Sequence, residues 1–362
     1  MATLLFSAVG TLVGGPIGGA IGALLGREID YAVIGSRTRE GPRLKELSVT
    51  TSSYGSALPR HFGRMRVGGT IIWATDLVEH REKQGGGKGK PATATYTYTA
   101  SFAVALASRP LSGIGRVWAD GNLLRGAAGD LKTGGSFRFY PGTGDQPADP
   151  LIATAEGDGR CPACRGVAYA VFESLQLADF GNRIPALTFE VFADDGALTL
   201  TTLLDGAIDG IDADVPLPGL AGISEEGALS ELFSTLDPIF PMDCDAGGGQ
   251  LTIARGRLQA VPIALGEAAT SPERGDFGSQ SGCARKREPA PLNPPGILRY
   301  YDVDRDYQPG LQRAPGRPSP GEPRTLELPA ALAAGDAREL IARTAKREAW
   351  ARETLAWRSC EL

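Results

Sequence analysis

Short runs of alternating apolar and polar residues, bounded by glycine, proline, asparagine and aspartate, dominate residues 44–196. A period of two places every second side chain on one face of a strand, so this region predicts a β-rich domain. Asp120-Gly121, between RVWA and NLLR, predicts a two-residue hairpin turn. Residues 81–92 are glycine-rich and basic, and they predict the flexible tip of a longer hairpin that continues into TATYTYTASFAVALA.

The pattern changes to mixed helices and strands over residues 197–362. SEEGALSELFSTLDPIF has apolar residues at helical spacing, and Ser224 is its predicted N-cap. GDARELIARTAKREAWARETLAW predicts a second helix, in which Asp336 and Glu339 have the spacing of a capping box and Leu340, Ile341 and Ala345 lie on one apolar face. Together with a predicted hairpin at PMDCDAGGGQLTIARG, these signals indicate an α+β region.

Two segments rich in proline and glycine, 268–296 and 308–325, predict long loops. At the end of the sequence, LAWRSCEL predicts the start of a strand. This strand is expected to pair either with another chain or with a continuation of this one.

The opening of the chain is apolar, uncharged and rich in glycine. VGTLVGGPIGGAIGALLG has a glycine at every fourth position: Gly10, Gly14, Gly18, Gly22 and Gly26. On a helix these glycines form one stripe along which two backbones can approach closely. Glycine costs about 1 kcal/mol per residue inside a helix, so this helix needs a partner, either a membrane or a protein. Residues 1–43 are therefore predicted to be a glycine-rich apolar helix followed by a linker.

Composition limits the classes of function. The chain is 42% hydrophobic and 22% charged, which is typical of a globular protein. Its 49 glycines and 26 prolines favour short strands and loops, so the expected fold class is α+β and rich in β structure. A net charge of −5 argues against nucleic acid as the main partner.

The sequence CPAC, residues 161–164, is a lone pair of cysteines. A zinc site needs a second pair of ligands, and the two histidines, His61 and His80, are far away in sequence, so no metal is predicted. Cys161 and Cys164 are expected to be either free thiols or a local disulfide.

The other residues that could carry chemistry have plainer interpretations. GSQSG has Gln280 where a serine hydrolase has its nucleophile, and His61 in RHFGR is expected to be a turn residue or a satisfied polar group. The acidic run DGAIDGIDAD lacks the spacing of a calcium loop. In LADFGNRIP, Asp179, Asn182 and Arg183 predict a turn built around Gly181. We therefore expect a protein that is not an enzyme and binds no cofactor.

Several segments resemble the tail hub proteins of long-tailed bacteriophages, also called tip attachment or baseplate hub proteins, which have relatives in the gene transfer agents of alphaproteobacteria. The resemblance extends over about residues 1–357 and is most specific in RGVAYAVFESLQLADFGNRIPALTFEV. Further segments that carry it are TTSSYGSALPRHFGRMRVGGTIIWATDLVE, FRFYPGTGDQPADPLI and RYYDVDRDYQPG.

The resemblance implies a homotrimeric hub, in which a β-barrel domain is followed by α+β domains, at the distal end of the tail in the virion. Such a protein is made in the cytoplasm of the bacterial host, contributes to host attachment and opens for DNA ejection. The implied partners are the distal tail protein, the tape measure protein and tail fibres or spikes. The glycine-rich helix would be a plug that also meets the host envelope, and DNA would pass without sequence-specific contacts.

Two departures from the family pattern stand out. Relatives usually have tyrosine at the position of Cys164, and many continue well past the position of Leu362. Two other classes of function stay open from the residues themselves. One is a tail-associated cell-wall hydrolase, which would need a pair of carboxylates at a sugar-binding cleft. The other is a membrane-anchored cellular protein that oligomerises through its glycine stripe.

Overall fold

The structure, a computed structural model, describes residues 50–51, 57–84, 93–157, 159–204, 211–213, 215–245, 251–255, 266–269, 282–316, 322–350 and 352–357. Its helices are α1 (Pro150–Glu156), α2 (Leu200–Leu204), α3 (Leu229–Leu236) and α4 (Ala334–Glu348). Short 3-10 helices span Ala178–Phe180 and Val303–Arg305. The predicted glycine-rich helix lies outside the described residues.

The strands of the first half are β1 (Thr50–Thr51), β2 (Arg60–Gly68), β3 (Thr70–Ala74), β4 (Val78–Gln84), β5 (Thr93–Ala107), β6 (Gly113–Ala119), β7 (Asn122–Arg125), β8 (Ser136–Tyr140), β9 (Ala168–Gln176) and β10 (Leu187–Phe192). Those of the second half are β11 (Ile211–Asp212), β12 (Leu220–Glu225), β13 (Met242–Asp245), β14 (Leu251–Arg255), β15 (Cys283–Glu288), β16 (Pro295–Asp302), β17 (Gln308–Arg313), β18 (Arg324–Leu332) and β19 (Arg352–Trp357).

Most of these strands belong to two large sheets. One has the order β1-β3-β5-β9-β8, with β4 also paired to β5. The other has the order β17-β16-β18-β12-β2-β10-β6-β7. A three-stranded sheet, β11-β14-β13, and a two-stranded ribbon, β15-β19, complete the described strands. This architecture confirms the predicted fold class, α+β and rich in β structure.

The two large sheets pack face to face around an aromatic core. Phe102 of β5 and Phe172 of β9 stack with ring centroids 5.0 Å apart, and Phe189 of β10 lies 6.3 Å from Phe172. All three side chains are fully buried. The apolar run SFAVALA continues without alternation because β5 is covered on both faces, by this core on one side and by Tyr169, Ile152 and their neighbours on the other.

A second core lies between the second half of the large sheet and the helices. In α4, Ala337, Leu340, Ile341 and Thr344 are buried, which is the spacing of one helical face. They pack with Leu298 of β16 and Leu328 of β18. The predicted apolar face of this helix is confirmed at Leu340 and Ile341.

Strand β2 joins the two halves of the chain, since it pairs with β10 on one side and with β12 on the other. The large sheet therefore contains strands from both predicted domains, 44–196 and 197–362. The boundary between these domains stays a prediction, as does the hub-type barrel.

Both predicted hairpins of the first half are present. Asp120 and Gly121 connect β6 to β7 with φ values of 48° and 84°, the left-handed pair that this hairpin turn requires. Strand β4 pairs along its length with β5, from Val78 opposite Thr99 to Gln84 opposite Thr93. The rest of the predicted tip, residues 85–92, lies outside the described residues.

Both predicted helix caps are wrong. Ser224 lies in β12, and α3 begins after Ala228, because the backbone of Ser224 is used in the pairing with β2. Helix α4 begins after Ala333, so Asp336 lies inside its first turn. The acidic side chain is there compatible with the positive end of the helix dipole.

The predicted loops and the predicted unpaired strand also differ from the structure. The segment 268–296 contains β15, and the segment 308–325 contains β17. Residues Arg352–Trp357 form a strand, β19, which pairs with β15 of the same chain, and the remaining residues 358–362 lie outside the described residues. The charged sequence of β15, CARKRE, has no apolar alternation that would predict a strand.

None of the described helices is long and apolar enough to cross a membrane.

Candidate functional site

The predicted site residues fall into two groups. The glycine stripe, Gly10 to Gly26, lies outside the described residues. The cysteine pair is described, and both Cys161 and Cys164 are free thiols. A disulfide between them stays a prediction. Of the acidic run, Asp205, Asp209 and Asp214 lie outside the described residues, and no cluster of metal-ligating side chains occurs in the part of the chain that the structure describes.

The cysteine pair lies on the outer face of the sheet β1-β3-β5-β9-β8, in the loop between α1 and β9. Both thiols donate to the same acceptor, the carbonyl oxygen of Pro162, at 3.7 Å each. They pack against an apolar cluster that includes Tyr140 and Tyr169, whose rings are stacked with centroids 4.5 Å apart. Burial raises the pKa of both thiols, so thiolate chemistry is disfavoured here.

Asp149, whose side chain is fully buried, connects α1 to β8 beside the loop that carries the cysteines. Its Oδ1 caps α1 by accepting from the backbone of Leu151 and Ile152 at 2.9 and 3.2 Å. Its Oδ2 accepts from Arg138 Nε and from the hydroxyl of Tyr140, each at 2.8 Å. Burial raises the pKa of this carboxyl, but the hydrogen bonds from Arg138 and Tyr140 outweigh it and leave the pKa below its usual value.

His61, the second residue of β2, is a satisfied polar group, as one of the two sequence interpretations has it. Its Nε2 lies 3.0 Å from the carbonyl oxygen of Leu106, and its Nδ1 lies 2.8 Å from the hydroxyl of Ser224. A carbonyl oxygen can only accept, so Nε2 carries the proton and Nδ1 accepts from Ser224. Burial lowers the pKa of His61 to about 4.

The predicted turn around Gly181 is confirmed. Gly181 and Asn182 have φ values of 66° and 58°. Arg183 reaches the hairpin turn between β6 and β7, where its Nη2 donates to Asp120 Oδ2 at 2.9 Å. Asp120 also accepts from the backbone of Ala186 at 3.0 Å, so these two turns stabilise each other.

A cluster that the sequence analysis missed connects the two halves of the chain. Glu190 of β10 is almost fully buried and binds Arg116 of β6 with two parallel hydrogen bonds, of 2.9 and 3.1 Å. The hydroxyl of Tyr307, from the turn between β16 and β17, donates to the same carboxylate at 2.9 Å. Asp306, next to Tyr307, forms a second ion pair with Arg116. We call Arg116, Glu190, Asp306 and Tyr307 the clasp.

An arginine and a tryptophan extend the clasp across the sheet. The guanidinium of Arg66 lies 4.0 Å from the ring centroid of Trp118, and Arg66 donates to Thr188 Oγ1 at 2.8 Å and to the carbonyl oxygen of Asp306 at 3.2 Å. Three strands of the first half, β2, β6 and β10, therefore hold one turn of the second half.

The local sequence prepares this turn for binding. Asp302 accepts from the backbone of Asp304 at 3.1 Å, and the backbone of Tyr307 donates to the carbonyl oxygen of Asp302 at 2.8 Å. Asp306 and Tyr307 both have left-handed backbones, with φ of 53° and 61°. This conformation is unfavourable for residues other than glycine, and the contacts of the clasp stabilise it. The motif RYYDVDRDYQPG was the available signal in the sequence.

The carboxylates of these clusters are suited to ion pairing rather than to proton transfer. Burial raises the pKa of Glu190, but its hydrogen bonds with Arg116 outweigh that effect and lower the pKa below its usual value. Asp194, which forms an ion pair with Arg109, behaves in the same way. Burial raises its pKa, but the hydrogen bonds from Arg109 outweigh that effect and leave the pKa below its usual value. A glycosidase acid needs a raised pKa. The buried carboxylates therefore hold strands and turns together.

The chain is similar to a phage tail family and to a chain of a gene transfer agent virion. Residues 230–359 match the family described as "Putative phage tail protein". The chain is also similar to a chain of a solved structure described as "Virion of native gene transfer agent (GTA) particle", with 27% sequence identity and a TM-score of 0.64. That similarity covers 96% of this chain and 85% of the other. None of the curated proteins matches the sequence. The two matches support a phage tail protein with a structural role in a virion.

Proposed function

We propose that this chain is the tail-tip hub protein of a phage or gene transfer agent. Three copies would form a ring at the distal end of the tail, between the distal tail protein, the tape measure protein and the fibres or spikes. The observation that carries the proposal is the similarity, over 96% of this chain, to a chain of a native gene transfer agent particle. The role is structural, and opening of the ring would release the tape measure protein and DNA.

The clasp supports a mechanical role. It ties the turn after β16 to strands β6 and β10 of the first half with a bidentate ion pair and a buried tyrosine. A bidentate pair fixes geometry as well as adding energy, so the two halves of the chain would transmit force as one body. A protein that opens under load without unfolding needs such a connection.

Labelling of purified particles tests the proposal. Antibodies against residues 44–195, detected with gold in the electron microscope, are expected to bind at the distal tip of the tail of particles from the source strain. Particles from a strain in which the gene is deleted are the control. Label along the tail tube, on the head or in cell membranes would overturn the hub assignment.

Deletion of residues 2–26 tests the proposed plug. The remaining chain is expected to keep the circular dichroism spectrum of its strands, while particles fail to assemble or fail to eject DNA. Normal numbers of particles with normal DNA transfer would show that the glycine stripe is not a plug.

A further inference from the structure

The loop between α1 and β9 brings two thiols to one point. Sγ of Cys161 and Sγ of Cys164 each lie 3.7 Å from the carbonyl oxygen of Pro162, so the two sulfur atoms are no more than twice that distance apart. Both cysteines are free and partly exposed. Neighbouring thiols that an oxidant can reach are the arrangement from which an intramolecular disulfide forms.

One buried glutamine fixes the backbone of this loop. Nε2 of Gln146 donates to the carbonyl oxygens of Ala163 and Cys164 at 2.9 and 3.2 Å. Its Oε1 accepts from the backbone of Gly142 at 2.6 Å, and the backbone of Gly166 donates to the carbonyl oxygen of Gly142 at 3.0 Å. Gln146 is 2% exposed. The backbone around Cys164 is therefore held in place before any covalent bond forms.

Cys164 is in a conformation that needs such support. Its φ is 50°, in the left-handed region that is unfavourable for residues other than glycine. The hydrogen bond from Gln146 and one from the backbone of Val167, which donates to the Cys164 carbonyl oxygen at 3.0 Å, compensate for this cost. A covalent bond to Cys161 would restrict the opened loop and so add to these contacts.

The surroundings of the two thiols are unfavourable to a thiolate and indifferent to a disulfide, which carries no charge. Burial raises the pKa of both thiols, and the carboxylates of Asp149 and Glu156 raise that of Cys161 further. Disulfides are easily reduced where the protein stabilises the reduced form. Since the environment here does the opposite, a disulfide of this pair is expected to form slowly and, once formed, to resist reduction.

We propose that Cys161 and Cys164 are an oxidation site, a dithiol while the particle assembles in the cell and a disulfide in the released particle. The cytoplasm keeps thiols reduced, whereas disulfides persist outside the cell. The bond would add a covalent restraint to the loop before β9, the strand that lies between β5 and β8 in its sheet. This inference goes beyond the proposed position at the tail tip, since it requires only that the particle leaves the cell.

The oxidant is a low-molecular-weight disulfide such as oxidised glutathione. The thiolate of one cysteine, after losing its proton to solvent, attacks a sulfur of the oxidant, forms a mixed disulfide and releases one thiolate. The thiolate of the other cysteine then attacks the protein sulfur of the mixed disulfide and releases the second. The released thiolates take up the two protons, so the protein loses two hydrogen atoms and one oxidant molecule becomes two thiols.

A glutathione titration of the full-length chain tests the site. The protein is equilibrated at several ratios of oxidised to reduced glutathione, the remaining thiols are blocked with N-ethylmaleimide, and the chain is digested with trypsin. Cleavage after Arg160 and Arg165 releases residues 161–165, which contain both cysteines of the pair and no other. We expect this fragment to become two hydrogen atoms lighter on oxidation, with an equilibrium constant about tenfold or more above that of a synthetic peptide of residues 157–167.

Limited trypsin cleavage of the folded protein measures the restraint. Arg160 and Arg165 are exposed and flank the pair. We expect oxidation to slow cleavage after these two residues by about tenfold, and we expect Cys161→Ser to remove the difference between oxidised and reduced protein. Cys244→Ser, which removes an exposed free thiol outside the loop, is the matched control and is expected to retain the difference.

Three results would overturn the inference. They are a pair that forms only mixed disulfides with glutathione, an equilibrium constant no higher than that of the synthetic peptide, and equal cleavage of the oxidised and reduced protein. Particles supply a further test, since the fragment 161–165 is expected to be oxidised in released particles and reduced in cells opened in N-ethylmaleimide. A reduced pair in released particles would also overturn the inference.

These results are independent of where the chain lies in the tail. Label at the distal tip would still support the proposed function if the pair stays reduced. An oxidised pair in particles that carry the label elsewhere would keep the oxidation site and overturn the hub assignment.

Discussion

The hydroxyl of Tyr307 donates a 2.9 Å hydrogen bond to Oε1 of Glu190, although the two residues are 117 positions apart in the chain. Tyr307 is fully buried and has a left-handed backbone, and Glu190 is held by Arg116 from the neighbouring strand. One turn of the second half is thus fixed to strands β2, β6 and β10 by this hydrogen bond together with the contacts of Asp306. The clasp is therefore the place where a small change should have a large effect on stability.

Replacing Tyr307 with phenylalanine removes the hydroxyl and keeps the ring. We expect Tyr307→Phe to lower the free energy of unfolding by about 1–2 kcal/mol, since a hydrogen bond to a buried charged group is lost. Chemical denaturation followed by circular dichroism measures this difference. An unchanged free energy of unfolding would mean that the clasp adds no stability.

Tyr98→Phe is the matched control. Tyr98 also donates to a carboxylate, Glu79 Oε2, at 2.8 Å, but this hydrogen bond is exposed. Water replaces an exposed partner at little cost, so the expected loss is below about 0.5 kcal/mol. Equal losses for both variants would contradict the assigned importance of burial.

Much of the fold follows from local sequence signals. The strands of the first half, the Asp120-Gly121 turn and the apolar face of α4 are all determined by residues within a few positions of one another. The predictions are wrong where pairing with a strand distant in the sequence determines the local structure. Ser224 has the side chain of a helix cap, but β2 takes its backbone into a sheet, and CARKRE forms a strand because β19 pairs with it.

His61 should make stability depend on pH. Its pKa in the folded protein is about 4, whereas an exposed histidine has its ordinary value near 6.5. As the pH falls below about 6.5, the unfolded chain binds a proton that the folded protein does not, so the folded state loses stability. We expect a loss of about 2 kcal/mol between about pH 7 and pH 5 from this residue.

Denaturation at both pH values, with His61→Gln and His80→Gln, checks the assignment. His80 is exposed, and its Nε2 lies 2.9 Å from Thr99 Oγ1, so His80→Gln should keep the pH dependence of the wild type. His61→Gln should show a flatter dependence in this range, whatever its stability at pH 7. The same slope in His61→Gln would contradict the role of His61.

The candidate sites were harder to predict than the strands. CPAC is visible in the sequence, but its environment depends on Tyr140, Tyr169 and Asp149, which come from separate elements. The clasp requires the register of β10 against β6, and that register places Glu190 beside Arg116. Nothing in the local sequence around either residue reports this pairing.

The thiols of Cys161 and Cys164 should react slowly with iodoacetamide at neutral pH. Burial raises the pKa of both thiols, and only the thiolate is a strong nucleophile. Cys244 is an exposed free thiol of the same chain and is the internal control. Peptide mass spectrometry is expected to find Cys244 modified first and the pair modified faster as the pH rises.

A different labelling pattern would be informative about the predicted disulfide. If neither cysteine of the pair reacts until a reductant is added, and both then react, the purified protein contains the disulfide. Fast modification of the pair at neutral pH would contradict the raised pKa.

Gly63 in β2 and Gly121 in the β6–β7 turn both have a left-handed backbone. We expect Gly63 to tolerate replacement less well than Gly121. The φ of Gly63 is 65°, and a Cβ at this position would lie 2.2 Å from the carbonyl oxygen of Ala221 in β12. Both the backbone conformation and the close approach of β2 to β12 would be disturbed. We expect Gly63→Ala to lower the free energy of unfolding by about 3 kcal/mol or more.

Gly121→Ala separates the two causes. Gly121 has a φ of 84°, but a Cβ there would meet no atom within 4 Å, so this variant carries the cost of the backbone alone, about 1 kcal/mol. The difference between the two variants in denaturation experiments therefore measures how tightly β2 and β12 pack. Because these two strands join the halves of the large sheet, a loss at Gly63 no greater than at Gly121 would contradict the close packing of that junction.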